Sequence, residues 1–158
     1  MPNWIEGTLK LRGTSDALKN FFKNAILPCA NYTNRDDFIK CHFENDDCSV
    51  WIAEDAYIEG THRAFVSEEA YPYFNLAYDT VAIPIKQAWG FDVGDWLEIA
   101  NKYDLDVRLY GFECGMEFTQ DIEIMKVDKD DEARVVTRNL TQTYDDYIWE
   151  CPMPLIGG

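Results

Sequence analysis

Apolar and polar positions alternate along Thr8-Leu9-Lys10-Leu11-Arg12 before Gly13 breaks the pattern. A period of two sends successive side chains to opposite faces, so this stretch predicts a half-buried strand. Thr14, Ser15 and Asp16 follow as N-cap candidates. Leu18, Phe21, Phe22 and Ala25 then recur at three-and-four spacing while Lys19, Asn20, Lys23 and Asn24 take the other face. The spacing predicts an amphipathic helix of about three turns, with Pro28 as its stop.

The middle of the chain reads as strands over Phe38 to Phe43, over Ser49 to Ala53 and around Ala64-Phe65-Val66, separated by acidic or Gly-containing turns. Thr80 to Lys86 alternates again, and Pro84 restricts that strand to an edge or a bulge because proline donates no ladder hydrogen bond. A second helix is expected from Val93 to Tyr103, with Trp96, Ile99, Ala100 and Tyr103 as its apolar stripe. Asp106 to Phe112 reads as a strand, Cys114-Gly115 as a turn, and Met116 to Ile124 as the partner strand. In that partner Met116, Phe118, Ile122 and Ile124 share one face, which leaves Glu117, Thr119, Asp121 and Glu123 as an acidic, solvent-facing ladder. Val127 to Glu132 is a charged turn, Arg134 to Thr141 a further strand, and Tyr144 to Trp149 a short element before the tail.

These elements predict an α+β fold: a ferredoxin-like antiparallel sheet with two helices packed on one face, an additional C-terminal β-hairpin and a β-rich insertion over residues 44–79. The 158 residues suit a single domain with a tail at 150–158, and a 47% apolar content supplies the surface for one core. MPNW at the start, followed by the alternating strand and the helix, and QAWGFDVGDWLEIANKYDLDVRLYGFECGMEF at residues 87–118 resemble the YubB-like ferredoxin-fold family of phage and plasmid proteins. The resemblance covers residues 1–26 and 80–126. It implies a ferredoxin-like fold and a mobile-element habitat, and it carries over no catalytic residues.

Charge changes the functional picture most. Against 14 Lys and Arg stand 29 Asp and Glu, a formal net charge of −15. Residues 1–91 carry 13 acids and 8 bases, whereas residues 92–158 carry 16 acids and 6 bases. Binding to phosphate needs cationic neutralisation, so direct contact with nucleic acid or an anionic membrane is disfavoured. No apolar leader or bilayer-length apolar run is visible, and the five cysteines are odd in number and form no CxxC pair. A cytoplasmic protein with free thiols is the expectation.

Candidate chemistry is sparse. Cys41 and His42 are adjacent on a predicted strand and point to opposite faces, while Cys48 and His62 are isolated, so no zinc spacing is present. Cys114 has Glu113 and Glu117 for neighbours, which oppose thiolate formation. No GxSxG, no phosphate-binding loop and no HExxH occurs. The expectation is therefore a non-enzyme without cofactor or metal, with Trp4, Trp89 and Trp149 closing the rim of the core or, as the alternative, anchoring a partner.

What remains is an acidic pole: Asp95 and Glu98 on the second helix, Asp104 and Asp106 after it, Glu117, Asp121 and Glu123 on the ladder, and Asp128, Asp130, Asp131 and Glu132 in the charged turn. These eleven are the candidate partner-binding residues. The expected partner is a basic host protein, in the sharpest form a restriction or CRISPR nuclease whose nucleic-acid groove an acidic surface occupies by DNA mimicry. The alternatives are an accessory or regulatory domain whose acidity serves solubility, and a small enzyme using Cys114 or carboxylates.

Overall fold

The computed structural model describes residues 3–30, 34–44, 47–52, 55–66, 73–75, 80–126, 133–141, 143 and 146, with the backbone alone at 36, 41–44, 47–49 and 73–75. The chain is α+β, with a large antiparallel sheet and two helices. In order along the chain, β1 (Trp4–Arg12) leads through α1 (Ser15–Asn24) to the short β2 (Ile26–Pro28). There follow β3 (Ile39–Glu44), β4 (Asp47–Ile52), β5 (Ala56–Ile58), β6 (Ala64–Val66) and β7 (Tyr73–Asn75). Then β8 (Thr80–Ala88) enters α2 (Val93–Tyr103), and β9 (Asp106–Glu113), β10 (Phe118–Met125) and β11 (Arg134–Thr141) close the series. Eight strands form one sheet in the order β11-β10-β9-β1-β8-β6-β5-β2, and β3, β4 and β7 form a second.

Local chemistry explains the helix ends. Thr14 caps α1 by accepting the Ala17 N–H at 3.2 Å. The helix stops at Asn24, four residues short of Pro28, because Ile26 and Leu27 pair with β5 instead of continuing the turn. Asp92 caps α2 by accepting from Gly94 and Asp95, and Asp104 ends it in the left-handed conformation that Asp tolerates better than most residues.

The first strand is longer than its alternation suggested, because Trp4 already pairs with Ala88. It lies at the centre of the sheet, between β8 and β9. Register places Leu9 between Ile83 and Leu109, and Leu11 between Val81 and Val107, with Ile122 and Ile124 one strand further. Leu18, Phe21 and Phe22 of α1 and Trp96, Ile99 and Tyr103 of α2 join this same buried cluster. The two helices meet through Phe21 and Tyr103, whose rings stand edge to face with centroids 5.5 Å apart.

Two sequence-level expectations resolve at particular residues. Pro84 lies on a strand with neighbours on both sides; it stands opposite Thr8 of β1, and among the described residues β6 pairs only with Ile85 to Gln87, so on that side no described strand stands opposite Pro84. The expected run from Met116 to Ile124 begins at Phe118 instead, since residues 114–117 form the turn and Glu117 takes φ 53°.

Candidate functional site

The densest polar arrangement lies where the start of α2 meets the turn between β5 and β6. Asp95 stands three residues after the cap Asp92, a position from which an acidic side chain ordinarily reaches back to the cap. Here it reaches across to the turn. One carboxylate oxygen accepts the His62 backbone N–H at 2.6 Å, and the other lies 2.7 Å from His62 Nδ1. Gln87 donates to the His62 carbonyl at 3.3 Å and to Asp95 at 3.4 Å, while its own oxygen accepts the Trp96 indole N–H at 2.9 Å. Gln87 and Asp95 are buried, and their partners satisfy the polar atoms that burial strips of water.

His62 itself is exposed, with 83% of its side chain open to solvent. Asp95 fixes one ring nitrogen and leaves the other facing water. The His62 pKa is raised above the ordinary 6.5, first by the hydrogen bond it donates to Asp95, next by that carboxylate's charge, and to a lesser degree by Asp92. Among the described residues, His62, Asp92 and Asp95 are the one group whose ligand atoms fall within 4.8 Å of one another. Both oxygens of Asp95 are already engaged, and an Asp92 oxygen caps the helix, so the triplet is organised as a capping knot.

Beside this knot sits a cation and aromatic patch. The Arg63 guanidinium carbon lies 5.5 Å from the Trp4 ring centroid and 5.6 Å from that of Trp89. Trp89 is 65% exposed. Arg63 and Trp89 both take left-handed backbone, at φ 59° and 62°, which a non-glycine residue adopts at a cost of about 1–3 kcal/mol. Backbone bonds hold them there: Ala88 donates to the Arg63 carbonyl at 3.3 Å and Trp89 to the Asn3 carbonyl at 2.7 Å. Trp4 also stacks edge-on against Phe65 at 5.8 Å, so it serves both the sheet rim and this patch.

The acids singled out in the sequence scatter. Asp95 is 8% exposed and tied to His62, so it belongs to no surface. Glu98 and Glu117 are exposed with no ion-pair partner among the described residues. Asp104 pairs with Lys126, and Asp106 pairs with Arg12 and accepts the Lys126 N–H. Asp121 is held by Arg108 at 3.3 Å and Arg138 at 3.1 Å, its side chain only 14% exposed. Glu123 lies opposite Arg108 in register. Thr119 is fully buried. The expected acidic ladder is therefore a mixed-charge surface, because β9 and β11 bring their arginines alongside β10 and a single strand's sequence does not show its neighbours. A cleft of about 170 Å³ on this surface is lined by Lys10, Arg12 and Arg108 together with Asp106 and Glu123. Asp128, Asp130, Asp131 and Glu132 lie outside the described residues.

Smaller expectations also meet the structure. Lys102 does not close the helical pair with Glu98; it reaches Glu59 at 3.4 Å. Cys114 and Cys29 are both exposed. Glu113, beside Cys114, is buried and accepts the N–H groups of Gly115 and Met116 at 2.7 Å, so its carboxylate organises the hairpin turn. The side chains of Cys41, His42 and Cys48 and all of Trp149 lie outside what is described. The pairing of His62 with Asp95 spans 33 residues and escaped sequence reasoning. Its one trace was Asp92-Val93-Gly94-Asp95, which places two carboxylates where one suffices to cap a helix.

The chain matches no protein-family model, no curated protein and no solved structure. No helix among the described residues is long and apolar enough to cross a membrane.

Proposed function

We propose that this protein is a non-catalytic, acidic interaction protein that binds a basic protein of its host. The carrying observation is where the charge falls. Residues 1–91 hold 13 acids and 8 bases, whereas residues 92–158 hold 16 acids and 6 bases. Within that acidic part Asp104, Asp106 and Asp121 meet cations, whereas Glu98 and Glu117 are exposed with no ion-pair partner among the described residues. An excess of that density suits contact with a cationic surface. The contact residues under this reading are Glu98, Glu117, Asp128, Asp130, Asp131 and Glu132; Asp95, Asp106 and Asp121 serve the fold.

In its sharpest form the partner is a restriction or CRISPR nuclease, and the acids occupy its nucleic-acid groove in place of phosphates. The resemblance to YubB-like phage and plasmid proteins supports that habitat. A ferredoxin-like core is supported by the alternation β1-α1 and β8-α2-β9, with β1 between β8 and β9. The test is cleavage of duplex DNA by such a nuclease with the protein added. Inhibition should weaken as NaCl rises from 0.05 to 0.3 M. It should disappear when Asp128→Asn, Asp130→Asn, Asp131→Asn and Glu132→Gln are combined, with Tm unchanged. Inhibition that ignores both salt and the combined variant would overturn the mimicry.

A further inference from the structure

Arg63 stands apart from most of the chain's basic residues. Arg12, Arg108 and Arg138 meet carboxylates, as do Lys86, Lys102 and Lys126, and Arg35 donates to backbone carbonyls. The Arg63 side chain makes no hydrogen bond and no ion pair among the described residues, although the protein carries more than twice as many acids as bases. It is positioned by two tryptophan rings. Stacking of this kind occupies the guanidinium faces and leaves the N–H edges to bond an anion. Two strained backbone positions, Arg63 and Trp89, are kept to place these side chains on the surface, and strain of this kind collects at functional sites.

We infer that Trp4, Arg63 and Trp89 form a docking surface for an acidic peptide segment of a protein partner, with Arg63 receiving a carboxylate and Trp89 covering an adjacent apolar side chain. Exposed Trp and Arg are the residues that dominate protein interfaces. Charge complementarity selects a carboxylate, because Arg63 is a cation without a counter-ion among the described residues. His62 adds no anion affinity, since Asp95 and Asp92 already balance its proton. The net charge of −15 selects a single carboxylate over a polyanion: at physiological salt its field is screened within about 8 Å, which a short peptide tolerates and a run of phosphates does not. The inference uses none of the acids proposed to meet a basic partner, and it stands if that reading fails.

The test uses the full chain and three probes: the dipeptide acetyl-Asp-Phe-amide, its uncharged counterpart acetyl-Asn-Phe-amide, and a thymidine octanucleotide. Tryptophan fluorescence and the Arg63 Nε–H NMR resonance report binding. The Asp dipeptide should shift both signals saturably, the Asn dipeptide should bind at least tenfold more weakly, and the octanucleotide should bind no better than the Asn dipeptide. Arg63→Ala and Arg63→Lys should each weaken the Asp dipeptide at least tenfold, while Trp89→Ala should reduce the fluorescence response and weaken binding seen at Arg63. Circular dichroism melts verify that the variants fold; should Arg63→Ala unfold, Arg63→Lys carries the comparison. Equal binding of the two dipeptides, preference for the octanucleotide, silence of both signals, or an unweakened Arg63→Lys would each overturn the inference.

Discussion

His62 shows how much a residue's chemistry depends on a neighbour that its own sequence context does not reveal. In the sequence it is an isolated loop histidine; in the fold it closes against the buried Asp95. Its pKa in the folded protein is raised above 6.5, so the folded state holds this proton more tightly than the unfolded chain. The stabilisation is therefore complete below pH 6.5 and is lost as pH rises through the folded value. The difference in Tm between the wild type and His62→Gln should be largest near pH 5.5 and smallest near pH 8.5, measured by thermal melts across that range. A difference that grows with pH would refute the pairing. What sequence did show at this scale was chemistry fixed by near neighbours: Thr14, one of three N-cap candidates, caps α1 as a polar residue before an apolar stripe should. The partners of His62, Asp121 and Arg63 come from strands and helices far along the chain, and no local pattern encodes them.

Among the elements, the helices were the most legible, because a stripe at three-and-four spacing reports directly on one buried face; α2 runs from Val93 to Tyr103 as its pattern predicts. Strands were less so, since alternation shows that a strand has two faces but not which strands flank it. The central pairing of β1 with β9 depends on a close approach that only glycine allows. Gly7 and Gly111 face each other in register, and a Cβ on Gly7 would overlap the Tyr110 carbonyl oxygen and come within 2.5 Å of Gly111 Cα. Neither can yield without parting the backbones. Gly7→Ala should destabilise the protein by about 1–3 kcal/mol or more, read as a lower urea midpoint. An unchanged midpoint would show that the strands separate freely there. The alternation read from the sequence begins at Thr8 and leaves Gly7 outside it, and the residue opposite Gly7 lies 104 positions away, so local pattern gives no sign of this approach.

For the whole molecule, the governing quantity is a net charge of −15 on 158 residues. Like charges oppose compaction, and salt relieves them by shortening the Debye length from about 30 Å at 0.01 M to about 8 Å at 0.15 M. Salt also weakens exposed pairs such as Lys102 with Glu59, each worth at most about 1 kcal/mol. Repulsion should win, so Tm should rise over that salt range, and each 1 kcal/mol gained moves it by roughly 2–4 °C in a domain of this size. A falling Tm would mean that internal pairs outweigh repulsion. The central place of β1 carries a last consequence, for synthesis. Its two neighbours, β8 and β9, begin at Thr80 and Asp106, so β1 is made well before either strand that flanks it. At about 5–20 residues per second, the ladders that β1 forms with β8 and β9 wait several seconds at least after β1 itself is made, and the middle of the sheet closes late.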